Sequence, residues 1–366
     1  MMKMLFNSVK RYCKNISFVG YYVAKHKAKK LVVNKAIDFP IWGESSVKEN
    51  LDEALRILSL HGVKFPKVEK VFTLMLRDYL YFGVTPKEFV LFDFLHKNYQ
   101  QKAAFLPDQL KDKLSMKYTG IDKFKSDLQD KYHFYELLSP FFKRHVMKLT
   151  AKTSLEAFQK FCRDEQLVFI KPLNASYGIG ACKFDYNEEN CQHLYEKLMS
   201  NSANEYIVEA LIKQDDEMAK FNSSSVNTVR IPTVLNKDGF HILGAFMRTG
   251  RMGSIVDNGG SGGIFSAIDA ESGRIVTDGM DENGFIYSKH PDTGITFKGF
   301  SIPKWDELVN VAENAHRKMG GHKYIAWDFA YTKNGWVLIE GNWGQFLSQF
   351  VTGIGLKEKF VELMED

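Results

Sequence analysis

The sequence predicts an α+β protein behind a helical N-terminal region, on three observations. Residues 46–115 hold apolar residues at helical spacing, with glycine only at Gly62 and Gly83. From about Lys131 the texture changes to helical runs alternating with short β-branched runs and Gly/Asn/Asp turns. At 366 residues, with 45% hydrophobic and 14% aromatic content, the chain suits two or three packed units.

Composition excludes several classes. A 45% hydrophobic and 25% charged content, close to the soluble average, excludes wholesale disorder, and no run reaches the roughly 18 apolar residues that cross a bilayer. The apolar stretch Ile16–Ala24 is short and lacks a small-residue cleavage pattern, so no signal peptide is expected. Cys13, Cys162, Cys182 and Cys191 form no Cys-x-x-Cys pair, which argues against a disulfide framework or zinc cluster and for a cytoplasmic location. The net charge of +5 is unevenly spread. Nine cations (Lys3, Lys10, Arg11, Lys14, Lys25, Lys27, Lys29, Lys30 and Lys35) precede the first acid, Asp38. The remainder is therefore net acidic, unlike a uniformly basic nucleic-acid binder. Leu5, Val9, Tyr12, Ile16, Val19 and Val23 make an apolar stripe through the basic segment. Such a helix either docks on its own domain, the simpler reading, or lies peripherally on anionic lipid at the inner face of the cell membrane.

The elements follow in order. Leu51, Ala54, Leu55, Leu58 and Leu60 predict a helix after the cap candidates Ser45 and Ser46; a second runs from Val71 to Phe82, and a third follows Pro86. Asp130-Lys131 heads a further helix, Tyr132 to Leu138. Val168–Leu173 reads as a buried strand with Lys171 near its end, followed by the turn Ser176-Tyr177-Gly178-Ile179-Gly180 and a second strand, Ala181 to Phe184. A hairpin tip of this kind can fold its amides over phosphate, although a hairpin needs turn glycines anyway. A lysine at a buried strand end needs an anion to offset its desolvation.

Glu205–Ala210 is the next strand and carries Glu209; Asp215, Asp216 and Glu217 follow it. Ser225–Val234 alternates cleanly, and Asn236-Lys237-Asp238-Gly239 turns it into Ile242–Arg248. Arg230 and Arg248 then sit on neighbouring strands, where a pair of guanidiniums can clamp a phosphate or carboxylate. Asn258-Gly259-Gly260-Ser261-Gly262-Gly263 is too glycine-rich for a strand and lets backbone amides approach an anion closely. His290 precedes ordinary turn chemistry, Pro291-Asp292-Thr293-Gly294, and serves either as a substrate contact or as a packed histidine. Near the end, Ala326–Ala330 and Val337–Asn342 form a hairpin with Asp328, Glu340 and Asn342 in apolar strand contexts, where acids are costly unless paired or metal-bound.

Taken in that order, these residues resemble the ATP-grasp superfamily. More narrowly they are similar to its sugar-transfer-associated proteins of bacterial polysaccharide synthesis, with features of the glutathione-synthetase branch. Ser225–Arg230, Val256-Asp257-Asn258, His290–Gly294, Trp327-Asp328 and Glu340-Gly341-Asn342 carry the resemblance. It implies two α+β subdomains gripping ATP, at 128–215 and 216–366, behind a basic segment (1–37) and a helical region (38–127). It implies that Lys131 and Lys171 bind the α/β-phosphates, with Ser176, Gly178 and Gly180 in a flap. Glu209, Ala210 and Leu211 would form the adenine hinge. Asp216 would bind the ribose, with Asp215 or Glu217 as alternatives. Arg230 and Arg248 would steady the transferred phosphoryl group, and Asp328, Glu340 and Asn342 would hold Mg2+. Asn227, Asn258, Gly262, Gly263 and His290 would contact substrate. The implied activity is an ATP-dependent carboxylate–amine ligase that makes or decorates a cell-surface polysaccharide. Its partners would be a carboxylate-bearing sugar or small molecule and an amine. A kinase acting on a hydroxyl, or a non-catalytic ATP-binding assembly protein, are the alternatives.

The hairpin register can be read from the residues alone. A two-residue Asn334-Gly335 turn would put Asp328 opposite Gly341 and separate the carboxylates. A three-residue loop, Lys333-Asn334-Gly335 with Gly335 left-handed, sets Asp328 against Glu340 and Ala326 against Asn342. Phe329 would then lie beside Ile339 and Tyr331 beside Val337.

Overall fold

The computed structural model describes residues 44–63, 67–173, 180–201, 203–251, 253–254 and 262–366. The basic stripe of residues 5–23, Ser176, Gly178 and Asn258 lie outside the described residues. The chain divides into two compact units, one of residues 1–114 and 353–361, the other of residues 115–352 and 362–366.

The helical periods of the first unit become helices at Glu44–Leu60, Lys67–Phe82 and Pro86–Leu91. Ser45 and Ser46 lie within the first of these helices as described, Glu44–Leu60. Ala54, Ile57, Leu58, Met75, Phe89 and Phe94 are buried in the core, and the Phe92 and Phe105 rings meet at 4.6 Å. Thr85 and Glu88 form a reciprocal capping box at the third helix. The Glu88 carboxylate also accepts from the Asp108 amide at 2.8 Å. Burial, reinforced by the Asp108 charge, pushes the Glu88 pKa up to about 8 despite these backbone donors. Because the folded pKa lies above the unfolded one, Glu88 contributes stability below about pH 4.5 that is lost as pH rises through about 8. Thermal melts of the full chain should therefore show a pH-dependent loss across that window, and Glu88→Gln should flatten it.

The second unit holds two antiparallel sheets. In the first, β1 (Val146–Leu149), β2 (Leu167–Pro172), β3 (Cys182–Asp185) and β4 (Tyr206–Ala210) take the order β1-β4-β2-β3. Helices Leu155–Glu165 and Glu188–Leu198 pack on it through Phe158, Cys162 and Cys191, against Leu149, Val168, Ile170 and Val208. Ser154 and Asn187 cap these helices by accepting from the amides of Ala157 and Asn190. Strand β1 is short and half-buried, and no sequence pattern singles it out.

The second sheet comprises β5 (Thr228–Asn236), β6 (Gly239–Ile242), β7 (Phe246–Thr249), β8 (Ile264–Ala267), β9 (Gly279–Asp281), β10 (Ile286–Tyr287), β11 (Tyr324–Thr332) and β12 (Gly335–Asn342). Its order is β10-β9-β8-β7-β5-β11-β12, with β6 also paired to β5. The strand expected from Ile242 to Arg248 is thus two strands, parted at left-handed Gly244 (φ 61°). Both pair with β5, β6 at Thr233–Asn236 and β7 at Thr228–Arg230. Pro232, which has no N–H to donate, falls between the two pairings.

The helix Trp305–Lys318 packs on β5 and β12 through a buried face that includes Leu308, Ala312 and Ala315. Trp327 and Phe329 of β11 lie on the covered side with Thr233, whose hydroxyl accepts from Trp327 Nε1 at 2.9 Å. Asp328 therefore faces the other way, and that opposite face carries the charged residues. None of the described helices is long and apolar enough to cross a membrane.

Candidate nucleotide and metal site

The site begins with the β11–β12 pairing. Asp328 lies opposite Glu340, Trp327 opposite Gly341, and Ala326 opposite Asn342, as the sequence predicts. The device that achieves this differs from the expectation. Thr332 pairs with Gly335 around the two-residue turn Lys333-Asn334, and Phe329 pairs with Leu338, not Ile339. Tyr331 pairs with Trp336, not Val337. The register shifts between Asp328 and Phe329, leaving Ile339 as the extra residue of a β-bulge. The bulge keeps bulky Trp336 and Leu338 in the core while turning Glu340 to the Asp328 face. The expected loop would have buried the smaller Val337 and Ile339 in their place. Gly335 is left-handed as expected (φ 85°), and the Thr332 hydroxyl braces the turn by accepting from the Asn334 amide at 3.2 Å.

Across the sheet, Arg230 on β5 stands directly opposite Asp328. Its Nε and Nη2 donate to Asp328 Oδ1 and Oδ2, each at 2.5 Å. Arg248 on β7 adds a third bond, from Nη2 to Oδ2 at 2.8 Å, and its Nε donates to Thr228 Oγ1 at 3.1 Å. Burial alone would push the Asp328 carboxyl up, but the two guanidiniums overcome it and hold the pKa at about 2. Glu340 is the less compensated acid. Burial and the Asp328 charge hold its pKa above the usual range, although Arg230, Lys171 and Arg248 pull the other way.

Asn342 Nδ2 donates to Glu340 Oε1 at 3.3 Å, while its Oδ1 is buried without a hydrogen-bond partner. A buried amide oxygen lacking a donor, beside two carboxylates, suits a hard cation with oxygen ligands. Among the described residues no cluster of three or more His, Cys, Asp or Glu gathers, so the amide oxygen would have to complete a cation site. Asp328, Glu340 and Asn342 are the side chains that would hold Mg2+ here, with both Asp328 oxygens also accepting from Arg230 and Arg248.

Two glycines hold this corner close. Gly341 lets the helix Lys131–Phe142 lie on β12, since a Cβ there would stand 3.1 Å from the Phe134 ring. At Gly344 a Cβ would stand 2.6 Å from both Arg230 Nη1 and Asn342 Oδ1. Gly344→Ala should displace both groups and cut turnover by about 10²-fold, the scale on which misplacements near 1 Å act. Unchanged kcat in this variant would show that the corner tolerates the shift.

On the first sheet, Lys171 of β2 donates to Glu209 Oε1 at 2.8 Å. Arg144 Nε and Nη2 donate to Glu209 Oε2 at 2.8 and 2.5 Å. Burial would raise the Glu209 carboxyl, but Lys171 and Arg144 bring it down to about 2. Asp130 caps the helix headed by Lys131, accepting from the amides of Tyr132 and His133. Lys131 Nζ donates to the Leu173 carbonyl at 2.7 Å, where β2 ends. Burial lowers the Lys131 pKa, and Glu340, Lys171 and Glu209 are among the charges acting on it. Lys131 of the helix and Lys171, Glu209, Arg230, Arg248, Asp328 and Glu340 of the two sheets thus act electrostatically on one another, and Asn342 joins them through its bond to Glu340.

Other expected site residues sit differently. Asn227 is fully buried; its Nδ2 donates to Gln214 Oε1 and to the Met218 and Asn222 carbonyls, and its Oδ1 accepts from the Thr249 hydroxyl. It braces the start of β5 and the end of β7. His290 is buried as well, with Nε2 donating to the Gly250 carbonyl at 2.9 Å and Nδ1 accepting from the Asp292 amide. Burial lowers its pKa from the ordinary imidazole value, and both ring nitrogens are engaged with the backbone, the surroundings of a packed histidine. The Ala210 and Leu211 amides are spent on the His145 and Leu167 carbonyls. Asp216 is exposed on the first turn of a short helix that Asp215 caps. Gly180 is left-handed (φ 75°) on the way into β3, and Gly262 (φ 84°) precedes buried Gly263 at the start of β8. Sequence reasoning missed Arg144, which sits in a Lys143-Arg144-His145 run that reads as surface charge. It also missed Gly344, for which the adjoining Glu340-Gly341-Asn342 motif was a signal.

The chain belongs to the sugar-transfer-associated ATP-grasp family, whose model matches residues 151–364, more than half of the sequence. It is therefore an ATP-binding protein, and ATP-grasp proteins take the nucleotide with Mg2+. Lys131 and Arg144 precede the matched span. No curated protein matches the sequence. Among solved structures, the D-alanine–D-alanine ligase of Bacillus anthracis aligns at 13% identity and TM-score 0.40, over 65% of this chain and 66% of that one. The VanG D-Ala:D-Ser ligase of Enterococcus faecalis aligns at 16% and 0.43, over 65% and 61%. A RimK domain ATP-grasp protein of Sphaerobacter thermophilus aligns at 13% and 0.38, over 66% and 67%. The chain spans less than two thirds of the length of either ligase.

Proposed function

We propose that the chain is a cytoplasmic ATP-dependent carboxylate–amine ligase in the synthesis or decoration of a bacterial cell-surface polysaccharide. It would join an amino acid or other amine to a carboxylate on a sugar or small molecule. The observation that supports this is Asp328, shared by Arg230 and Arg248 and set against Glu340. Each partner is already matched to one half of a metal–phosphate pair, the acids to a cation and the guanidiniums to an anion. The family's association with sugar transfer supports the polysaccharide setting.

In the proposed reaction an oxygen of the acceptor carboxylate attacks the γ-phosphorus of ATP, the bond to the β-phosphate oxygen breaks, and ADP leaves. The amine nitrogen then attacks the acyl carbon of the acyl phosphate, inorganic phosphate leaves with the bonding pair, and the amine proton is lost to solvent. Positioning and charge neutralisation supply most of the catalysis in phosphoryl transfer, so no general-base triad is required. Lys131 and Lys171 bind the nucleotide phosphates, Arg230 steadies the transferred group, and Arg248 with Gly262 and Gly263 orients the acceptor. Bound Mg2+ would neutralise phosphate charge, with Asp328, Glu340 and Asn342 as its holders.

Screening ADP release over uronic acids and amino acids tests the reading. Arg248→Ala should lose acceptor-dependent release while still binding ATP. Full acceptor-dependent turnover in that variant would remove Arg248 from the acceptor site. Equal sedimentation with neutral and anionic vesicles would remove the membrane contact proposed for the basic segment.

A further inference from the structure

We infer that Arg144 is a positioning residue, a strut that fixes the lysine-bearing sheet against the β11–β12 hairpin; the reaction it positions rests on the ligase reading above. Lys143, left-handed at φ 48°, turns the chain out of the helix Lys131–Phe142. The Arg144 side chain, only 7% exposed, then reaches both sheets. Its Nε and Nη2 hold Glu209 Oε2, and its Nη1 donates to the Leu338 carbonyl at 2.6 Å and to the Phe142 carbonyl at 3.2 Å. The guanidinium also lies 4.6 Å from the Phe142 ring centroid. Four of its five N–H donors are thereby engaged, in a planar fork that only arginine provides.

Both ends of the strut bear on the site. The second oxygen of Glu209 holds Lys171, so Arg144 sets the anchor of that lysine. Leu338 is paired with Phe329 at the register shift that turns Glu340 toward Asp328. β12 ends the strand order of its sheet, so on its outer side the Leu338 carbonyl meets Arg144, not another strand. Lys143 adds a second grip on the same hairpin, donating to the Asn334 carbonyl at 3.2 Å. In-line phosphoryl transfer requires the phosphate-binding lysine and the carboxylate side to keep one spacing.

A residue that merely neutralised Glu209 would be replaced adequately by lysine. A strut would not, because an ammonium cannot fork between Glu209 and Leu338. Full-length wild type, Arg144→Lys and Arg144→Ala separate the two by calorimetry with ATP and Mg2+, hydrogen exchange, and steady-state turnover. For Arg144→Lys we expect ATP affinity within about threefold of wild type, kcat lower by about tenfold or more, and β12 amides exchanging about tenfold faster, with β5 unchanged. Arg144→Ala should in addition weaken ATP binding by about tenfold. Wild-type kcat and wild-type β12 exchange in Arg144→Lys would overturn the inference, as would faster exchange spread evenly over both sheets. Exchange and ATP affinity need no acceptor, so they decide the strut even if no acid–amine pair is turned over, an outcome that would count against the ligase reading alone.

Discussion

Asp328→Asn is expected to abolish Mg2+-dependent ADP formation and to cost about 3–5 kcal/mol of stability, the usual penalty for breaking a buried ion pair. Glu340→Gln should abolish the same activity without a loss of stability. The two acids face each other across one register position, yet their surroundings oppose. Asp328 is 1% exposed and receives three hydrogen bonds from two arginines, so removing its charge takes the main counter-charge from both guanidiniums. Glu340 is only partly buried, and desolvation of its carboxyl together with the Asp328 charge disfavours its ionised form, so neutralising it relieves repulsion. Denaturant melts alongside an ADP assay read both effects. Equal stability losses in the two variants would contradict the asymmetry. The Asp328 contribution also has a pH signature. With a folded pKa of about 2, below its unfolded value, its stabilisation is present above about pH 4 and is lost as pH falls through about 2.

Lys171→Ala should weaken ATP binding at least about tenfold, the equivalent of one lost charge-assisted contact, while the chain stays folded. The fold survives because Arg144 continues to compensate Glu209 through two bonds to Oε2. Calorimetry on the folded variant checks this, and unchanged affinity would take Lys171 out of the nucleotide site.

Much of this site is legible in the sequence where chemistry and alternation agree. Asp328 and Glu340 can share a cation only on one sheet face, and that requirement selects their pairing. The Asn236–Gly239 turn likewise puts Arg230 and Arg248 on strands that pair, although Gly244 splits the strand carrying Arg248. The bulge was harder to read because Trp336/Leu338 and Val337/Ile339 are both plausible core pairs by alternation. Only the packing of Trp336, whose Nε1 donates to the Pro303 carbonyl at 3.0 Å, selects the first. Glu209 shows a different limit. An acid at a strand end announces a partner, but Arg144 lies 65 residues away in a basic run that looks solvated. Asn227 and His290 carry motif-like surroundings and still spend their polar atoms inside the protein. Local pattern identifies a polar side chain without telling whether it faces a ligand or the backbone.

Following phosphorus by NMR while the full chain, ATP and Mg2+ are mixed with a panel of uronic acids and amino acids tests the central claim most directly. Carboxylate–amine ligation predicts ADP and inorganic phosphate in equal amounts, appearing only when both an acid and an amine are present. ADP accompanied by a new phosphate ester and no free phosphate, independent of amine, would contradict it.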